Sequence, residues 1–204
     1  MEEKITYFEK VGKDNTEPTL KMALERAKAR GIKKVVMAST LGDTARLAAK
    51  LWQNEGIKLI IVPHQYGFSG WKFDPELKKD LEKQGHVVHY GTMLFHTDRF
   101  YGMDTPTVIA NMLRTFSQGM KVVVEILLMV ADAGYVDIGE KVVVVAGSGR
   151  GADTAVVVAA STSTRIADLH IEEIICKPLQ TKNLPPPPPG QPPPADSQQM
   201  PPKK

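Results

Sequence analysis

Two segments of this chain repeat one pattern, an apolar β-branched run that ends in a loop of small polar residues closed by Asp-Thr-Ala. The first runs from Val35 to Ala45 (VVMASTLGDTA), and the second runs from Val142 to Ala155 (VVVVAGSGRGADTA). Such apolar runs predict buried strands. If both strands belong to one parallel sheet, both loops open at its carboxyl edge, where open α/β sheets bind ligands. The repeated pattern therefore predicts one binding site built from two loops.

Composition divides the chain into a folded part and a tail. Ten of the 15 prolines lie between Pro185 and Pro202, a composition that cannot form a core. We therefore expect residues 1–180 to form one α/β domain and residues 181–204 to form a disordered proline-rich tail. One hypothesis gives the tail a role, as a ligand for SH3- or WW-like grooves.

Charge and residue usage exclude several classes of partner. The formal net charge is +3, of which the tail carries most, so the folded part lacks the basic footprint of a nucleic-acid-binding domain. The longest apolar stretch is interrupted by Glu125 and is too short to span a bilayer. The start of the chain lacks a signal-peptide layout, so we expect a cytoplasmic protein without a membrane or nucleic-acid partner. Cys176 is the single cysteine, and the histidines show no metal-ligand spacing, so no metal site is expected.

Strand and helix signals alternate along the chain. Strands are predicted over residues 33–38, 57–62, 87–90, 142–146, 155–160 and 171–176, and helices over 16–30, 43–53, 75–84, 104–117 and 120–133. The segment 120–133 is ambiguous, because its three consecutive valines favour a strand whereas its length and the flanking glycines favour a helix. We predict a helix there. The alternation implies a three-layer α/β fold, a mostly parallel sheet with helices on both faces.

The Ser/Thr loop (residues 39–44) has the chemistry of a phosphate site at a helix start. Ser39, Thr40 and Thr44 supply hydroxyl groups, and Gly42 allows close approach to the backbone. A plain helix N-cap, with Ser39 or Thr40 satisfying the first turn, explains the same residues equally well. Both interpretations stay open.

The Gly-rich loop (residues 147–151) favours ligand binding over its alternative, a tight turn between strands. Three glycines in five residues lose much chain entropy on folding, and Arg150 adds a permanent forked cation suited to phosphate. The loop also matches the dinucleotide fingerprint G-x-G-x-x-A, but that fingerprint requires a helix next, whereas residues 155–160 predict a strand. Asp43 and Asp153 recur at the same place in the two repeated segments, and caps or turns explain them slightly better than ligand contacts.

Other candidate residues follow the second predicted strand. The segment from His64 to Trp71 contains Tyr66, Phe68 and Trp71, any of which could stack on a planar ring, or the rings could simply pack together in a surface loop. The loop 92–103, which includes His96, Arg99 and Tyr101, fits either a flap or an oligomer contact.

The helix over 120–133 contains three charged residues on one side. We interpret Lys121, Glu125 and Asp132 as a solvated stripe. If the chain is an enzyme, His64, His96 and Glu125 are the candidate acid or base residues. Cys176, in a β-branched strand, is expected to be a buried apolar residue.

The chain resembles the C-terminal α/β domain of pyruvate kinase, and in particular small stand-alone proteins built from that domain. The resemblance covers residues 5–180 and is carried by Tyr7-Phe8-Glu9-Lys10, Asn15-Thr16, Ala38 to Ala45, Val124-Glu125-Ile126, Ala131 to Gly134, Gly147 to Ala155 and Ile171 to Pro178. In the full enzyme this domain is not catalytic but holds an allosteric sugar-phosphate site on two loops, which correspond here to residues 39–44 and 147–154. The catalytic barrel has no counterpart in 180 residues, so the resemblance does not imply pyruvate kinase activity.

The resemblance implies a phosphorylated ligand, either a sugar phosphate or a mononucleotide such as FMN. Asp153 near Arg150 departs from the full enzyme, and the stand-alone proteins suit FMN, with its phosphate on the loops and its ring at the aromatic segment. The ligand-binding candidates are Asn15, Ser39, Thr40, Gly42, Asp43, Thr44, His64, Tyr66, Gly67, Phe68, Gly147, Ser148, Gly149, Arg150, Gly151, Ala152, Asp153 and Thr154. An enzyme that acts on a phosphorylated metabolite, or through bound flavin, is the alternative, and a homo-oligomer fits either function.

Overall fold

A single mixed sheet forms the centre of the molecule. The computed structural model describes residues 2–67, 72–96 and 105–180. Within them, seven strands lie in the order β1-β7-β6-β5-β2-β3-β4. Their bounds are β1 Thr6–Phe8, β2 Lys34–Ala38, β3 Lys58–Val62, β4 Val87–Val88, β5 Lys141–Ala146, β6 Thr154–Ala159 and β7 His170–Pro178. Only β6 runs antiparallel to its neighbours, so the sheet is mostly parallel, as predicted.

Helices cover both faces of the sheet. They are α1 Thr16–Ala29, α2 Asp43–Leu51, α3 Pro75–Lys83, α4 Thr105–Arg114 and α5 Gln118–Asp132, with 3-10 turns at Lys13–Asn15, Leu94–His96 and Ser163–Asp168. Helices α1, α2 and α3 pack on one face and α5 packs on the other. Helix α4 and the turn 94–96 contact the outer side of α5. The predicted three-layer α/β fold is confirmed.

The central strands are buried on both faces. Val35 and Met37 of β2 face the α1 and α2 side, whereas Val36 faces α5. β5 repeats this alternation with Val143 and Val144. This double burial explains why these strands are continuous apolar runs rather than alternating ones.

The segment 120–133, whose sequence is compatible with a strand or a helix, belongs mostly to helix α5, as predicted. Ser117 caps it, because its hydroxyl accepts a hydrogen bond from the Met120 N–H at 2.9 Å. The helix lies between the sheet and α4, so nearly its whole length is buried. Burial against two layers outweighs the small intrinsic preference of valine for strands.

Strand β1 forms one edge of the sheet, and β7 lies next to it. Strand β1 was not predicted, because three residues carry too little periodicity, and it adds to the edge only by pairing with β7. Cys176 of β7 is fully buried, as expected, and burial raises the pKa of its thiol to about 11.

None of the helices in the described ranges has the length and hydropathy needed to cross a bilayer.

Gly151 tests how tightly the Gly-rich loop packs on the start of α1. Its φ is +76°, and an added Cβ would lie 2.2 Å from Thr16 Oγ1 and 2.8 Å from Lys13 Cα. Gly139 is the matched control, because its φ is +81° but a Cβ there would meet no atom within 4 Å. We expect Gly139→Ala to cost about 1 kcal/mol for the left-handed backbone. Gly151→Ala should cost roughly 1–3 kcal/mol more for the overlap.

Urea unfolding of both variants measures the difference in the free energy of unfolding. Equal losses in the two variants would show that the loop can move away from α1 without cost.

Candidate functional site

The two loops of the repeated pattern lie side by side. β2 and β5 are neighbours and run parallel, with Met37 paired to Val145. The Ser/Thr loop and the Gly-rich loop therefore leave the sheet at the same carboxyl edge, as predicted. Both loops line one cavity with a volume of about 520 Å³.

Helix α5 supplies another wall of this cavity. Its lining residues recur every three or four positions, which places them on one helix face. They are Gln118, Lys121, Val122, Glu125, Ile126 and Met129. The remaining lining residues include His64, which follows β3, and Met93 and His96 from the segment after β4. Elements far apart in the sequence thus form one enclosure.

The Ser/Thr loop satisfies part of the first turn of α2 and brings the start of that helix to the cavity. The Ser39 hydroxyl accepts a hydrogen bond from the Ala45 N–H at 3.1 Å, so this side chain satisfies an amide of the first turn of α2, as the N-cap alternative expected, although the N-cap residue itself is Gly42. The Thr40 hydroxyl donates to the Pro63 carbonyl at 3.4 Å. Asp43 and Thr44, the first residues of α2, line the cavity. At the start of a helix the backbone N–H groups have no intrahelical hydrogen-bond acceptor. The positive end of the α2 dipole therefore faces the cavity.

The Gly-rich loop is the turn of the β5–β6 hairpin, and it also lines the cavity. A Cβ on Gly147 would lie 2.2 Å from the Gly151 carbonyl oxygen, so the two ends of the loop touch through their backbones. A strand follows the loop, which confirms that the dinucleotide fingerprint is accidental. Arg150 is exposed at the cavity, and within the described part of the chain its guanidinium has no ion-pair partner.

Asp153 fixes the shape of the hairpin turn rather than lining the cavity. Its buried carboxylate accepts from the Ser148 N–H at 3.1 Å and from the Ser148 hydroxyl at 3.2 Å. It also accepts from the Thr154 hydroxyl at 3.0 Å and from the Gly12 N–H at 3.3 Å. The interpretation of Asp153 as a turn-stabilising residue is therefore confirmed.

The charged residues of α5 correct one prediction. Lys121 and Glu125 are 1% and 3% exposed, so they do not belong to a solvated stripe. Their side chains form an ion pair, and Glu125 Oε1 also accepts from the Phe95 N–H at 3.3 Å. The His96 Nδ1 lies 3.2 Å from the same oxygen. Only Asp132 of the three is exposed. The stripe prediction fails because the turn 94–96 and α4 cover this side of the helix.

Burial and pairing act in opposite directions on these two groups. Burial lowers the pKa of Lys121, and the adjacent Glu125 carboxylate only partly offsets this effect. Burial alone would raise the pKa of Glu125, but the hydrogen bond from His96 and the charge of Lys121 hold it below its ordinary value. Glu125 is therefore ionised at neutral pH.

The cavity brings together many, but not all, of the predicted site residues. Those that line it are Ser39, Thr40, Asp43, Thr44, His64, Gly147, Ser148, Gly149, Arg150 and Gly151, together with the acid or base candidates His96 and Glu125. Those described but absent from its lining are Asn15, Gly42, Tyr66, Gly67, Ala152, Asp153 and Thr154. Phe68, Trp71, Arg99, Tyr101 and the tail lie outside the described residues.

Three candidates have other contacts that explain them. Asn15 donates through its side-chain amide to the Lys10 carbonyl at 2.7 Å. A Cβ on Gly42 would lie 2.6 Å from the Leu77 side chain, so this glycine lets α3 pack closely. Tyr66 is 83% exposed and packs edge-on against Tyr90, with ring centroids 5.6 Å apart.

Sequence reasoning missed the α5 wall. Gln118, Lys121, Val122, Ile126 and Met129 were not among the predicted ligand-binding residues. One signal could have indicated them, since a Lys and a Glu four residues apart inside a strongly apolar helix are neighbours on one face. In such a helix the Lys–Glu pair can face either solvent or a buried site. The packing of α4 on the outer side of α5 decides which of these environments the pair has.

A comparison with protein families identifies the family of this chain. A family model described as the pyruvate kinase alpha/beta domain matches residues 17–159, which is most of the chain. The chain therefore belongs to the pyruvate kinase alpha/beta domain family.

Two similar solved structures are both pyruvate kinase from Cryptosporidium parvum. The first is 18% identical, with a TM-score of 0.38 and coverage of 71% of this chain. The second, a complex with ADP, is 17% identical, with a TM-score of 0.33 and coverage of 69%. The chain spans 22% of the length of each of these enzymes.

The buried ion pair of α5 gives a prediction about stability. Lys121→Met leaves the Glu125 carboxylate buried without its cation, and we expect a loss of about 3 kcal/mol in the free energy of unfolding. The double variant Lys121→Met/Glu125→Gln should recover at least half of that loss, because no unpaired charge remains and the new amide can still accept from the Phe95 N–H.

Urea denaturation of wild type and both variants measures these free energies. A double variant less stable than Lys121→Met alone would contradict a dominant role for the unpaired charge.

Proposed function

We propose that this domain binds a small molecule with a single phosphate group in the cavity between the Ser/Thr loop and the Gly-rich loop. The observation that carries this proposal is the convergence of anion-binding groups on one enclosure. The N-terminus of α2, the Thr44 residue of its first turn and the Arg150 guanidinium all border the same space. Backbone amides at a helix start and an Arg fork are two recurrent ways in which proteins hold phosphate.

The charge balance of the cavity favours a monophosphate over a bisphosphate. Among the described residues, two permanently cationic side chains line it, Arg150 and Lys121, and Lys121 is already paired with Glu125. Asp43 adds a second carboxylate to the lining. One guanidinium and one helix N-terminus suffice to bind one phosphate group. A second phosphate group would lie near the carboxylates of Asp43 and Glu125, and the described lining residues offer no further unpaired Lys or Arg to offset the repulsion.

FMN is the particular ligand that we propose testing first. A cavity of about 520 Å³ lies in the range of ordinary small-molecule sites. The resemblance to stand-alone proteins of this family supports a mononucleotide. The support for the phosphate end is stronger than that for the ring, because the exposed Tyr66 does not belong to the cavity lining.

A thermal-shift titration of the full chain tests this proposal with FMN, riboflavin and ribose 5-phosphate. FMN at 100 times its dissociation constant should add about 2.7 kcal/mol of stability. For a domain of this size, that gain corresponds to an increase in Tm of roughly 5–10 °C. Riboflavin, which lacks the phosphate, should give a much smaller increase.

Arg150→Gln should weaken FMN binding by about tenfold or more, since it removes a charge-assisted contact. Arg165→Gln is the control, because Arg165 is exposed, pairs with Asp168 and does not line the cavity. If neither FMN nor ribose 5-phosphate shifts the Tm of wild type, the proposed function is wrong.

The contact between His96 and Glu125 supports a second candidate function, an enzyme acting on a phosphorylated metabolite. In this alternative the ionised Glu125 orients the imidazole through its 3.2 Å contact, and His96 transfers the proton. His64, which also lines the cavity, is a second proton donor or acceptor. Any turnover of a phosphorylated substrate should fall by at least about 100-fold in His96→Ala if this role is correct. Unchanged turnover in both His96→Ala and His64→Ala would exclude these residues.

A further inference from the structure

Lys121, a buried lysine in the cavity wall, has hydrogen-bonding capacity that the described residues of the protein do not use. An ammonium group has three N–H donors. Within the ranges that the structure describes, Glu125 is the hydrogen-bond partner of Lys121, and the Phe95 ring lies against the ammonium with its centroid at 5.8 Å. Since Lys121 lines the cavity, a ligand bound there can accept from the N–H donors that Glu125 does not engage. Buried donors left without a partner are costly.

Glu125 presents an acceptor beside that donor. One of its oxygens accepts from Lys121, and the other is shared by the Phe95 N–H and His96. A carboxylate has about four acceptor positions, so at least one remains. The α5 wall therefore offers a hydrogen-bond donor and an acceptor side by side, on a different element from the two phosphate-binding loops.

We infer that the Lys121–Glu125 pair binds the end of the ligand remote from its phosphate, and that this end is a neutral group that both accepts and donates hydrogen bonds. This inference rests on the proposed function. An anionic group at that end would face the Glu125 carboxylate, and a cationic group would face the Lys121 ammonium, so a neutral group is favoured. A cyclic imide edge and a set of sugar hydroxyls both have this chemistry.

The experiment compares phosphates that differ only in their other end. Isothermal titration calorimetry is performed with FMN, which carries an imide edge, with ribose 5-phosphate, which carries hydroxyls, and with propyl phosphate, which carries neither. The variant is Lys121→Met/Glu125→Gln, and its folding is checked by circular dichroism. The control is Lys78→Met/Glu82→Gln, since Lys78 and Glu82 form an exposed pair with the same spacing and order on α3, outside the cavity.

The inference predicts a loss of about tenfold or more in affinity for FMN, for ribose 5-phosphate, or for both, in the Lys121→Met/Glu125→Gln variant. Affinity for propyl phosphate should change by less than about twofold, and the α3 control should bind all three like wild type. A loss confined to FMN assigns the pair to the imide edge, and a loss confined to ribose 5-phosphate assigns it to hydroxyls.

Two results would overturn the inference while leaving the proposed function intact. One is unchanged affinity for both polar phosphates in the Lys121→Met/Glu125→Gln variant. The other is an equal loss for all three ligands, which would place the pair at the phosphate itself. If none of the three binds wild type, the proposed function fails, and the inference fails with it.

Discussion

The parallel pairing of β2 with β5 is the constraint on which the candidate site depends. These strands are separated by about a hundred residues of sequence, yet they are direct neighbours in the sheet. Because parallel neighbours end at the same edge, the loops that follow them border one cavity. If another strand stood between them, the N-terminus of α2 and the Arg150 guanidinium would lie apart. The groups that we propose for anion binding converge through sheet order rather than through any local motif.

A buried hydrogen-bond network then holds the Gly-rich loop in place. The Asp153 carboxylate connects the Ser148 amide, the Thr154 hydroxyl and the Gly12 amide, and the Thr16 hydroxyl accepts from the Ala152 N–H at 3.0 Å. The loop is thereby fixed to the segment before α1. Gly147 and Gly151 of this loop serve close backbone packing, since a Cβ at either position would lie 2.2 Å from a neighbouring oxygen.

The cavity wall formed by α5 could not be predicted from the pattern of charged residues in that helix. Lys121 and Glu125 are the charged residues of a segment, 120–131, whose other residues are apolar, and from the sequence alone we interpret them as a solvated stripe on a surface helix. In this protein α4 and the turn 94–96 cover the outer side of the helix, so the charges face a cavity instead. The covering elements come from other parts of the sequence, and periodicity within α5 contains no information about them.

The sequence by itself determined the elements, because helix and strand periods and caps act over a few residues. It specified the two strand-loop units, the helices and the turn-stabilising role of Asp153, whereas β1 was too short to detect. The tertiary structure alone decided which elements became neighbours. It placed the two loops together, excluded Asn15 and Tyr66 from the cavity lining, and buried Lys121 beside Glu125. These outcomes depend on contacts between residues distant in the chain, which no local pattern encodes.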